Sequence, residues 1–155
     1  MDKNEALREI SEITSMQEEA IENHPPKLIA AYKDTFSVIY SGQRKEWESE
    51  EGSIVSLSSD ELSKINSYLT VSSFISAWYH LAGLKDKRDQ AAHSCVQLIS
   101  AAGPHDEKVL SKYIETERLW RSVIKKSGTS PGSSKVKLFL LLTAVAAGCY
   151  WLWLK

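Results

Sequence analysis

Phe74-Ile75-Ser76-Ala77-Trp78-Tyr79-His80-Leu81 is apolar almost all the way round a helix, and a helix without a polar face has to be enclosed by others. In a chain whose remaining segments carry one-sided apolar stripes, this predicts a helical bundle with that helix at its centre. Its start is marked at Ser58-Ser59-Asp60-Glu61, where serine followed three residues later by glutamate has the pattern of a capping box. Gly83 can close it, so the third helix is expected from about Asp60 to Leu81.

Upstream, Leu7, Ile10, Ile13, Met16, Ala20 and Ile21 recur at helical spacing, and Pro25-Pro26 ends that first helix and opens the next. The second helix is expected from about Pro26 to Tyr40, with Leu28, Ile29, Tyr32, Phe36, Ile39 and Tyr40 on one stripe, and Ser41 to Ser59 as a long serine-rich, charged loop. Downstream, a fourth helix from about Asp86 to Ala102 places Ala91, Ala92, Cys95, Leu98, Ile99 and Ala102 together, and Gly103-Pro104 breaks the chain. The fifth opens with Asp106 and Glu107 and closes with Lys125 and Lys126, matching the sign of each end of its dipole. Its expected inward residues are Val109, Leu110, Tyr113, Ile114, Trp120, Val123 and Ile124. No segment shows sustained strand alternation, and no repeat is visible.

The final stretch has a different character. From Leu138 to Leu154 there is no charge, and at 1.5 Å per residue this run reaches roughly 25 Å, the lower end of what spans a bilayer core. Lys137 extends the reach by snorkelling, and Tyr150, Trp151 and Trp153 gather at the far end, where amphipathic rings prefer lipid headgroups. The expected fold is therefore all-α: a compact bundle of about five helices plus one C-terminal transmembrane helix. The expected division is a cytosolic bundle over 1–126, a flexible linker over 127–134 and a membrane anchor over 135–155. By the random-coil relation the linker spans only about 15 to 17 Å, which keeps the bundle close to the bilayer.

The chain has 155 residues, a formal net charge of −1 and a sequence pI near 6.4, so no global field draws it to nucleic acid. The charges are unevenly placed, however. Asp2, Glu5, Glu9, Glu12, Glu18, Glu19 and Glu22 crowd the first helix, whereas Arg118, Arg121, Lys125, Lys126, Lys135 and Lys137 precede the anchor with no intervening acid from Arg118 onward. Basic residues on the near side of the span agree with the positive-inside rule. The N-terminal residues lack the apolar core of a signal peptide. Together these predict a tail-anchored, single-pass protein with its N-terminal domain in the cytoplasm, in a bacterial inner membrane in preference to endoplasmic reticulum or mitochondrial outer membrane. The basic residues, with Tyr150, Trp151 and Trp153, form the expected membrane interface, and residues 136–154 contact the bilayer.

Chemistry is sparse. His24, His80, His93 and His105 lack metal-ligand spacing, and neither a phosphate loop nor a nucleophile elbow is present, so neither metal nor cofactor is expected. Cys95 and Cys149 fall in different parts of the chain, which argues against a disulfide. His80, beside Trp78 and Tyr79, reads as a near-core residue bonded to the backbone.

Arg88-Asp89-Gln90-Ala91-Ala92-His93 resembles the Arg-x4-His signature of the HEPN superfamily, small helical bundles of which many are metal-independent ribonucleases acting as dimers. The resemblance implies that Arg88 stabilises charge at a scissile phosphate and that His93 carries a proton. On a continuous helix the two side chains point about 140° apart, so convergence requires an irregular first turn or a second subunit.

Two features suit a partner. The acids Glu9, Glu12 and Glu19 project from the side of the first helix opposite Leu7 and Ile10, without lysines spaced to pair with them. Trp47 stands alone among charges and is either an exposed anchor for a partner or a residue folded back on the bundle. The expected function is a membrane-tethered interaction module, an adaptor or assembly factor whose partner is another protein or a second copy of itself. The alternative is a HEPN-like ribonuclease or toxin, and nucleic acid is a partner only under that alternative.

Overall fold

The computed structural model describes residues 1–49 and 57–131. These residues form five α-helices, α1 (Lys3–Ile21), α2 (Pro26–Ser49), α3 (Ser59–Leu81), α4 (Lys85–Ala101) and α5 (Asp106–Lys126), and no strand occurs among them. The whole of the expected anchor and residues 132–134 of the expected linker, with Lys135, Lys137, Cys149, Tyr150, Trp151 and Trp153, lie outside the described residues. Among the described residues no helix is long and apolar enough to cross a membrane.

The central helix starts where its sequence marks it. Ser58 Oγ accepts the Glu61 N–H at 3.2 Å and the Glu61 carboxylate accepts the Ser58 N–H at 2.8 Å, closing the capping box. Lys3 of α1 adds an ion pair to Glu61 at 3.0 Å. At the other end Gly83 takes a φ of +75°, and the Leu84 N–H reaches back to the Tyr79 carbonyl at 2.9 Å, so α3 turns into α4 within three residues. A side chain at Gly83 would be strained in that left-handed conformation.

α3 packs against all four other helices. Its buried side carries polar residues with it, most of them small. Ser72, Ser73, Ser76 and Ala77 are completely enclosed, which lets neighbouring backbones approach closely. Two of the hydroxyls are bonded, one locally and one across: Ser73 Oγ donates to the Thr70 carbonyl at 3.0 Å, and Ser72 Oγ donates to Gln17 Oε1 of α1 at 2.7 Å, whereas Ser76 Oγ is buried without a partner among the described residues. The core divides into two clusters along α3. Ala6, Leu7 and Ile10 of α1 meet Ile65, Leu69, Cys95, Ile99, Val109 and Tyr113 in one, while Leu28, Ile39, Phe74, Trp78, Trp120 and Ile124 form the other.

Helix α2 runs nine residues beyond its expected end at Tyr40, into what the sequence presents as loop. The reason is a four-residue repeat hidden by polar neighbours: Ile39, Gln43 and Trp47 fall on one face and all three are buried. Arg44 reinforces the extension with an i,i+4 ion pair to Glu48 at 3.0 Å. The same guanidinium donates to Ser59 Oγ at 2.8 Å and to Ser63 Oγ, tying α2 to α3. Elsewhere the stripes hold with local exceptions, since Met16 and Ala20 of α1 and Leu110 and Ile114 of α5 are exposed rather than inward.

His24, in the turn between α1 and α2, packs edge-on against Trp78 at 4.8 Å and Phe74 at 5.9 Å, with Nδ1 3.1 Å from the Ile21 carbonyl. Burial holds its imidazole below the ordinary value, against the opposing pull of that carbonyl and of Ala20's. The folded state thus favours the neutral ring. Its contribution is intact above the unfolded value near 6.5 and is lost as pH falls below it toward the lower folded value. Stability should decline as pH falls below about 6.5, and His24→Asn should flatten part of that decline in denaturant titrations. An unaltered pH slope in the variant would show that the ring is not held neutral.

Candidate functional site

Polar side chains from three helices converge where α3 ends, α4 begins and α5 passes. His80 sits in the last turn of α3, Arg88 in the first turn of α4, and Glu117 and Arg121 one turn apart on α5. Arg88 Nη1 lies 2.7 Å from His80 Nδ1, and Arg121 Nη1 lies 3.2 Å from His80 Nε2. Arg88 also grips its neighbour Asp89 through Nε and Nη2 at 3.0 and 2.8 Å. Glu117 Oε1 stands 3.8 Å from His80 Nδ1 and 3.7 Å from Arg121 Nε, within ion-pair range of both and hydrogen-bonded to neither. Burial, followed by the charge on Arg121, holds the His80 imidazole below its ordinary value; Glu117 opposes this, and Arg88 and Lys125 add to it.

The expected backbone-bonded role of His80 is thus replaced by a side-chain cluster. Its assembly was hidden in the sequence for a physical reason. Residues 80 and 88 come together only because the Gly83 turn folds α4 back on α3, and α5 joins them from further along the chain.

The same geometry bears on Arg88 and His93. Helix α4 is regular from Lys85, so its first turn is not the irregular one that would bring them together. Arg88 points into the junction with His80, while His93 is exposed on another side of the helix.

The acidic face of α1 is present as expected. Glu12 and Glu19 are exposed and Glu9 is partly so, opposite the buried Ala6, Leu7 and Ile10. None of the three glutamates forms an ion pair with a described lysine or arginine. At the far end of α5, Arg118, Lys125 and Lys126 are exposed and Arg121 is half-buried. The first residues of the expected linker continue as a turn in which Gly128 takes a φ of +72° and Ser127 Oγ donates to the Ile124 carbonyl at 2.6 Å.

Trp47 does not serve as an exposed anchor. It is 1% exposed, lies in the core beside Ile65 and Leu69, and has the Lys112 ammonium 4.9 Å from its ring centroid. Two shallow depressions, of about 230 and 260 Å³, are smaller than the pockets that enclose small substrates. Among the described residues no three His, Cys, Asp or Glu side chains are grouped to hold a metal. Comparison of the chain with protein-family models, with curated proteins and with solved structures finds no match, so the reading of its function rests on the bundle's own surfaces and junctions.

Proposed function

We propose that this chain is a membrane-tethered interaction module, held at a bilayer by residues 136–154 and recruiting a cytosolic partner through the acidic face of α1. The observation that carries the reading is the state of Glu9, Glu12 and Glu19: exposed at Glu12 and Glu19 and partly so at Glu9, without ion pairs among the described residues, on a helix whose opposite side is locked into the core. Like charges crowded on one rigid face repel, and a basic partner surface relieves that repulsion without reorganising the helix. The uncharged run from Leu138 to Leu154 supports the tether, and the basic residues before it support a cytoplasmic bundle, a bacterial inner membrane being the favoured setting. No second reading is kept, because Arg88 engages His80 and nothing in the geometry favours a catalytic pairing with His93.

The test replaces Glu9, Glu12 and Glu19 by lysine in the full chain. The expected result is a variant that stays in the membrane pellet through alkaline carbonate washing, keeps its helicity, and loses a protein that co-purifies with the unaltered chain in detergent. The loss should appear mainly in the association rate and should be mimicked by high salt. An unchanged set of co-purifying proteins would overturn the adaptor reading, and release of the unaltered chain by carbonate would overturn the tether.

A further inference from the structure

The junction of α3, α4 and α5 holds more hydrogen-bond donors than acceptors. A neutral imidazole has one acceptor nitrogen and one N–H, and a protonated one has no acceptor at all. Yet both ring nitrogens of His80 face guanidinium nitrogens, at 2.7 Å from Arg88 and 3.2 Å from Arg121. Whichever tautomer is present, one of these contacts sets donor against donor. Arg121 Nε is buried with no hydrogen-bond partner, its nearest carboxylate oxygen being 3.7 Å away on Glu117. Asp89 is already taken up by Arg88. Lys125, one turn beyond Arg121 on the same helix, adds a further positive charge felt at the ring.

We propose that Arg88, Arg121 and His80 form a binding site for a phosphate group. A tetrahedral anion offers several acceptor oxygens in divergent directions, which suits guanidinium forks reaching in from two helices and an imidazole N–H from a third. The anion accepts from Arg121, from Arg88 Nη1 and from the ring N–H, and so relieves the donor–donor contact. The group is carried either by a free phosphate or by the headgroup of an anionic lipid. The second source rests on the membrane reading, since the junction includes α5, the helix that leads toward the expected span; the site itself does not.

The experiment uses the full chain in neutral detergent and in nanodiscs, and follows the His80 ring by NMR, its resonance assigned by loss in His80→Gln. Inorganic phosphate added in detergent should shift the ring resonance saturably and raise the pH at which it titrates, beyond a chloride control of equal ionic strength. Arg121→Gln and Arg88→Gln should each weaken that response about tenfold, the loss of one charge-assisted contact. Nanodiscs containing phosphatidic acid should reproduce the shift without added phosphate if the headgroup is the source, and phosphatidylcholine nanodiscs should not. A chain that fails to enter nanodiscs counts against the tether alone, and the phosphate titration in detergent still reads the site.

No response beyond the chloride control in any arm would overturn the proposal. So would an undiminished response in both arginine variants. Should Arg121→Gln fail to fold, Arg88→Gln at the start of α4 carries the comparison.

Discussion

Truncating Trp120 to alanine lowers the stability of the bundle by about 3 to 5 kcal/mol, the range for removing a large aromatic side chain from a closed core. This indole is fully enclosed and fastens three helices at once. It stacks on Tyr32 of α2 with ring centroids 5.2 Å apart, meets Phe74 of α3 edge-on at 5.1 Å, and donates from Nε1 to the Thr70 carbonyl at 2.9 Å. Trp120→Phe separates the two contributions. It keeps most of the ring packing and gives up the hydrogen bond, and because the Thr70 carbonyl also accepts from Ser73 Oγ, the cost should be only about 1 to 2 kcal/mol. Urea titration of both variants measures the difference at constant slope. A Trp120→Ala chain within about 1 kcal/mol of the parent would mean that α5 is not seated in the core.

Alkylation of Cys95 in the folded chain is expected to run at least about a thousandfold slower than in the unfolded chain. The reactive species is the thiolate, and burial pushes the Cys95 thiol well above its ordinary value while also excluding the reagent. Modification therefore has to wait for α4 to open, and a stability of about 5 kcal/mol leaves fewer than one molecule in a thousand open. Mass spectrometry after timed labelling scores Cys95 separately from Cys149. Labelling in native buffer at close to the unfolded rate would show that α4 detaches readily from α3.

The helix order and most boundaries were legible because they rest on local chemistry. Pro25-Pro26, the Ser58 capping box, Gly83 and Gly103-Pro104 each act within a few residues of the break they make, and the observed helices begin and end beside them. The extension of α2 was not legible because its register depends on Gln43, a polar residue that the fold buries between Ile39 and Trp47. Charge density around Trp47 reads as solvent, and only the spacing of 39, 43 and 47 reveals the face. Leu110 and Ile114 show the opposite error, since apolar side chains at helical spacing read as core and lie at the surface. Of the candidate sites, the acid face of α1 was legible as a one-helix pattern. The Arg88, His80 and Arg121 junction was not, because it is assembled by tertiary folding from three helices.

Helices α1 and α2 follow each other in the chain across a tight turn, yet each finds its main packing surface elsewhere, α1 on α3 and α4 and α2 on α3 and α5. During synthesis the stretch that holds α1 and α2 therefore emerges with two apolar stripes and no surface to cover them. Neither can be buried correctly until α3 has left the ribosome, and α2 must still wait for α5, some fifty residues later. The nascent chain is most exposed to aggregation and to chaperones over that interval, and an interrupted product ending before Ser59 would have no native fold to reach.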